Sequence, residues 1–258
     1  MKNITFCVTS CGELTYDECW KSLEGLEDKV VFNEIKDVSP QIVALNRMLS
    51  ECNTEYLVPI DIDFKLYPNA YERISGAIEE HKDNKNWHSI LFPLWDTLTE
   101  QKILALKILR MSKICPFVES ATPDIQHYTD LTNLGHTCIH EYLNEDPIGD
   151  HIVKGEFFCY HKYKDFYLTM RTHNKVWDKG SIKGGNNVSS CAIAHYNYFI
   201  KKYNETKNPD YKACICGIIS GLKEPITNKS KDLTESMMEV DDVSQEFLNL
   251  ILGGNKWN

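Results

Sequence analysis

The chain has 258 residues, 42% of them hydrophobic and 11% aromatic, which is apolar mass enough for one large core or two small ones. Its formal net charge of -9 argues against a surface that follows nucleic acid along its whole length. No segment approaches the run of ~20 apolar residues that a membrane-spanning helix needs, and residues 1–8 read as a strand rather than an export signal. A cytoplasmic protein is therefore expected, with peripheral contact at the inner membrane face left open.

The 10 cysteines form no zinc pattern, because neither Cys7 with Cys11 nor Cys214 with Cys216 has a matching second pair. They read as buried thiols in a reducing compartment.

Residues 4–9 are a short β-branched run and predict a buried strand. Tyr16, Cys19, Trp20 and Leu23 then recur at helical spacing. A strand over 29–35 comes next, then a helix over 40–52 with Ser39 as its cap and Pro40 at the first helical position. The next strand covers 56–60, the next helix 68–78 and the next strand 89–94. Residues 98–111, with Ile103, Leu104, Ile108 and Met111 inward, predict a helix. The aromatic residues of 157–169 show partial alternation and predict a hairpin or strand pair. Residues 180–187 form a turn-rich loop, and 224–246 a polar crossing segment. Helices are expected over 188–204, 209–221 and 243–252. This order predicts an α/β fold, a mostly parallel central sheet flanked by helices, with a mainly helical C-terminal region. The expected division is a domain over 1–187 and a helical extension over 188–258.

Asp61 and Asp63 stand two apart at the end of the strand over 56–60. Open α/β sheets bind ligands outside the carboxyl ends of their strands. Strict alternation is expected to break there, letting both carboxylates face one crevice. Such a pair can hold a hard divalent cation that in turn holds phosphate oxygens. The plainer reading is a helix-capping aspartate beside a surface one.

Residues 44–74, from Ala44 through Asp61-Ile62-Asp63 to Ile74, resemble the metal-binding region of family 2-type glycosyltransferases, whose fold is called GT-A. In that family an Asn-containing helix precedes a strand ending in an Asp-x-Asp (DXD) motif, and a proline placed like Pro68 opens the next helix. Residues 8–13 resemble the family's nucleotide-base loop, although Cys11 and Gly12 replace its usual aromatic and polar residues. The shorter stretch after the second strand marks a shortened variant. The resemblance implies a GT-A-like nucleotide-sugar-binding domain that uses manganese or magnesium at Asp61 and Asp63. It implies a nucleotide-diphospho-sugar donor, with Thr9, Glu13 and Asp37 around the nucleoside, Glu34 as an alternative base-contacting acid, and Asn46 supporting that side. It also implies a donor or acceptor contact at Asp96, and Asp124 or Glu141 as the general base of an inverting transfer. His173 is a candidate further metal ligand, with a surface histidine as the plainer reading. The cations of residues 154–183, ending in Lys183, fit either a donor diphosphate or a solvated lysine face. His136 and His140 would share a helical face, but they lack the glutamate of a zinc-protease helix.

The function expected is hexosyl transfer from a nucleotide-sugar to a glycan, lipid-linked, protein or modified-DNA acceptor. A nucleotidyltransferase and a non-catalytic binding module on the same fold are the alternatives. The first lacks its usual positive charge at Cys11-Gly12-Glu13, and intact Asp61 and Asp63 speak against the second.

Overall fold

The computed structural model describes residues 2–119, 123–173, 188–225, 237 and 243–253. Contacts divide the chain into two compact units, Met1–Ile152 and Val153–Asn258. The fold class is a mixed α/β arrangement, a sheet flanked by helices, with a helical C-terminal region.

The first unit begins β1 (Ile4–Ser10), α1 (Tyr16–Leu23), β2 (Val31–Lys36), α2 (Gln41–Glu51), β3 (Tyr56–Asp61), β4 (Phe64–Leu66) and α3 (Ala70–Glu80). It continues with β5 (Trp87–Asp96), β6 (Gln101–Arg110), α4 (Pro123–Asn133), β7 (Thr137–Ile139) and β8 (Gly149–His151). Among the described residues, one sheet runs in the order β2-β1-β3-β6-β5-β8-β4, with β7 also paired to β5. β1 lies parallel to β2 and to β3, where Phe6 faces Val58 and Thr9 faces Asp61. β6 is antiparallel to both β3 and β5, so β5 runs the same way as β3, and β8 runs parallel to β5.

Alternation along the strands feeds two cores. Phe6, Val8, Val58, Ile60, Phe92 and Leu94 enter the larger one. Cys7, Ile35, Leu57 and Leu109 enter the other, beneath Ile42 and Met48 of α2. Two prolines punctuate the sheet. Tyr56 and Ile62 donate their N–H groups to Asn3 and Thr9, so even-numbered donors of β3 face β1. Odd-numbered donors therefore face β6, and Pro59 has none to give. β3 and β6 pair only at Tyr56–Arg110 and Leu57–Leu109, and part beyond them. Pro93 sits at a register shift in β5.

Two expected elements are corrected. The expected helix over 98–111 is instead mostly strand, β6 (Gln101–Arg110), because it folds back on β5 as a hairpin and buries Leu106, Ile108 and Leu109 in the sheet. Its apolar positions suit both periods, and the deciding signal is the turn: Asp96 Oδ1 accepts from Thr99 N at 2.8 Å and Thr99 Oγ1 at 2.9 Å. Residues 157–169 lie within a helix, α5 (Glu156–His173), because Tyr160, Tyr163, Tyr167 and Met170 recur at helical spacing and are all buried. His136 and His140 share no helix, since β7 separates them. Pro40 is the cap position of α2, and no side chain caps that helix.

The second unit packs α5 with α6 (Val188–Thr206), α7 (Pro209–Lys223) and α8 (Val243–Gly253). Residues 213–222 of α7 are buried on every face. Gly217 and Gly221 let α5 close on α7: a Cβ at either would run into the carbonyl oxygen of Tyr160 or Lys164. The expected loop over 180–187 lies outside the described residues, as does most of 224–246. No helix among the described residues is long and apolar enough to cross a membrane.

Two outcomes are expected. Gly217→Ala should cost about 2 kcal/mol in denaturant unfolding, because neither backbone can yield cheaply. His88 on β5 is 1% exposed and neither ring nitrogen has a hydrogen-bond partner among the described residues. Burial, then the charges of His127, His136 and His140, push it down from 6.5 to about 4. The unfolded chain then binds the extra proton, so this stability is complete above pH 6.5 and is lost as pH falls toward 4. Unfolding free energies at pH 7.5 and 4.5 should show a loss on the order of 2 kcal/mol that His88→Phe removes.

Candidate functional site

β1, β2, β3, β5 and β8 run in one direction, and the candidate residues gather where they end. Burial alternates from Ile60 to Leu66, with Ile60, Ile62, Phe64 and Leu66 buried and Asp61, Asp63 and Lys65 more open. Asp61 ends β3 and Asp63 lies in the turn that follows, one on each side of the buried Ile62. Ile62 anchors that turn, with its side chain in the core and its N–H donating to Thr9 O at 3.0 Å. Thr9 Oγ1 in turn donates to Asp61 Oδ1 at 3.0 Å.

Asp63 meets a residue that sequence reasoning missed. His151, at the end of β8, places Nε2 3.0 Å from Asp63 Oδ2 and Nδ1 2.8 Å from Asp96 Oδ2. Asp96 is 1% exposed and carries the two Thr99 hydrogen bonds on its other oxygen. The backbone ties the same corner: Ile152 N donates to Asp63 O at 2.7 Å, and Thr97 N to His151 O at 3.0 Å. The triplet Gly149-Asp150-His151 is too short to announce a strand, and nothing local to it points to Asp63. Only the pairing of β8 with β4 and β5 does so.

The field here is negative. The Cys19 thiol is pushed up to about 12, first by burial and then by the charges of Asp63 and Asp61. Such a field suits a cation. Among the described residues no three His, Cys, Asp or Glu side chains converge in metal-holding geometry. Two carboxylates still fit Mg2+ or Mn2+, because hard cations take one or two protein carboxylates and fill the rest of the shell with water and substrate phosphates.

Among the other expected residues, Glu13 closes the loop after β1, its Oε2 accepting from Cys11 N at 2.6 Å. Glu34 Oε1 accepts from Tyr16 OH at 2.8 Å, a bond that raises the tyrosine's pKa, and Lys36 lies over the same ring. Asp37 adopts φ 55 at the end of β2, with its N–H on Ser10 O at 2.9 Å. Asn46 is engaged with the backbone of Phe117, donating to its oxygen at 3.0 Å and accepting from its nitrogen at 2.9 Å. Asp124 lies in the first turn of α4 and Glu141 opens a short 3-10 turn, but their side chains lie outside the described set. The same holds for the side chain of His173, the last residue of α5, and for all of Lys183.

No family model matches the chain, and no curated protein matches it either. Among solved structures, it is similar to a mannosyltransferase from Pyrobaculum calidifontis in complex with GDP-mannose and Mn2+. That match has 11% identity and a TM-score of 0.46, over 85% of this chain and 72% of that one. It is also similar to residues 1–349 of TarS from S. aureus, with 12% identity and a TM-score of 0.42, over 86% of this chain and 81% of that one. At these identities and TM-scores the likeness adds nothing to the site's own geometry.

Proposed function

We propose that the protein is a metal-dependent glycosyltransferase that takes a sugar from a nucleotide-diphospho-sugar. The observation that carries this reading is the carboxylate pair. Asp61 closes β3 at its carboxyl end and Asp63 follows in the next turn, both close enough to the Cys19 thiol for their charges to add to the effect of its burial. The resemblance of residues 44–74 to the family 2-type metal-binding region supports it. Asp61 and Asp63 are the residues that would hold Mn2+ or Mg2+ together with the donor's phosphate oxygens. Bound there, the cation supplies positive charge against the charge that grows on the departing diphosphate.

The chain's own groups set the frame. Thr9 orients Asp61, and Glu13 closes the loop beside it. Asp37 follows the end of β2, next to the end of β1, and Glu34 within β2 accepts from Tyr16 of α1 on the side where the nucleoside is expected. Asp124 and Glu141 stay the candidates for the base of an inverting transfer.

Calorimetry with uridine, guanosine, cytidine and thymidine diphosphates, with and without metal, tests the reading. One nucleotide should bind best, and chelation should weaken it at least ~10-fold, as expected when the cation bridges protein and diphosphate. Unchanged affinity after chelation would count against the bridge. Asp63→Asn should lower transfer by more than ~100-fold, because an anionic ligand to the cation is lost. Its melting midpoint should stay close to wild type, since the substitution keeps the shape and opens no cavity. Near-normal turnover in that variant would remove Asp63 from the site.

A further inference from the structure

His151 has both ring nitrogens committed, and what lies on each side differs. On the Nδ1 side is Asp96, whose carboxylate is only 2% exposed. Thr99 already fixes that carboxylate from the hairpin turn, through two hydrogen bonds to the oxygen that His151 does not touch. On the Nε2 side is Asp63, whose side chain is 25% exposed and belongs to the carboxylate pair. The ring is held in other ways too. Its residue pairs with Phe64 across β4 and β8, the two rings meet edge to face at 5.7 Å, and the His151 carbonyl accepts from Thr97 N and Oγ1. The order of burial thus runs from the turn at Asp96, through the ring, to the half-buried Asp63 carboxylate.

Building on the metal-dependent reading above, we propose that His151 is a positioning residue for Asp63. Asp96 sets the ring, and the ring sets the plane in which Asp63 offers its oxygens to the cation and diphosphate. A carboxylate on a turn has two free torsions, and a donor on one oxygen removes most of that freedom. The carboxylate keeps lone pairs for a second interaction, so holding it does not consume it. Partners that hydrogen-bond a metal's ligands fix their geometry, and losing one commonly costs ~10- to 100-fold in metal affinity.

Two substitutions separate this role from a merely structural one. His151→Asn places an amide where Nδ1 lies, so it keeps Asp96 satisfied and lets go of Asp63. His151→Gln reaches the place of Nε2, so it holds Asp63 and deserts Asp96. Binding of Mn2+, alone and with the best-binding nucleoside diphosphate, is read at one pH by the paramagnetic resonance of free Mn2+. We expect His151→Asn to bind Mn2+ ~10- to 100-fold more weakly than wild type, and His151→Gln to stay within about threefold. A structural role predicts the reverse order, because only the Gln variant strands the buried carboxylate; that order would overturn the proposal. Unchanged or tighter binding in His151→Asn would overturn it too, the latter because the ring would then be competing with the cation for Asp63. Wild-type protein that binds no Mn2+ would overturn both this proposal and the reading beneath it. The unaltered protein gives a second measurement, which stands if neither variant folds. The Nε2 resonance of His151 should move when Mg2+ and the nucleoside diphosphate are added together. A resonance that does not respond would overturn the proposal.

Discussion

β3 is held along its length by β1 but released by β6 after Leu57, and the site depends on that release. With Pro59 supplying no donor on the β6 side, the ladder stops and the chain is free to leave the plane between them. Asp61-Ile62-Asp63 come next, and then the crossing to β4, which pairs with β8 at the other edge of the sheet. β6 has a second effect. By running antiparallel it restores the direction of β5, so that Asp96 ends at the same edge as Asp61.

Carboxylates gather at that edge at an electrostatic cost, and the structure offsets it unevenly. Asp96 is buried and accepts from Thr99 twice and from His151. Asp61 is exposed and accepts from the Thr9 hydroxyl. Asp63 lies between these extremes in both burial and support. Burial thus falls from Asp96 through Asp63 to Asp61 along the ends of the strands.

The succession from β1 to β3 was legible in the sequence because β1 and β3 are short apolar runs, buried almost throughout, while α1 and α2 carry a period near 3.6. The failures came where one pattern serves two periods. Ile103, Leu104, Ile108 and Met111 suit a helix stripe, while Leu106 and Ile108 suit a strand, and the Asp96–Thr99 turn decides between them. In α5, adjacent aromatics such as Phe157 and Phe158 mimicked alternation and hid the stripe through Tyr160, Tyr163 and Tyr167. At the site, Asp61 and Asp63 were readable because both the pair and the strand before it are local. His151 was not, since its meaning depends on Asp96, 55 residues earlier, and on a three-residue strand.

The place of β8 in the sheet has a consequence for how the chain is made. β4 and β5 are neighbours in sequence with only α3 between them, yet in the sheet β8 stands between them. Both strands precede β8 in the chain, and β7, which pairs with β5 at Trp87–Ile90, comes between; the slot left for β8 is edged by β4 and the Trp95–Asp96 end of β5. Such edges recruit other extended chains. Until β8 is inserted, β4 and the Trp95–Asp96 end of β5 lack the partner that covers them in the finished sheet. That insertion both seals the gap and delivers His151 to Asp63. Burial of the edge and completion of the site are one event, so a chain that stops short of Gly149 loses both together.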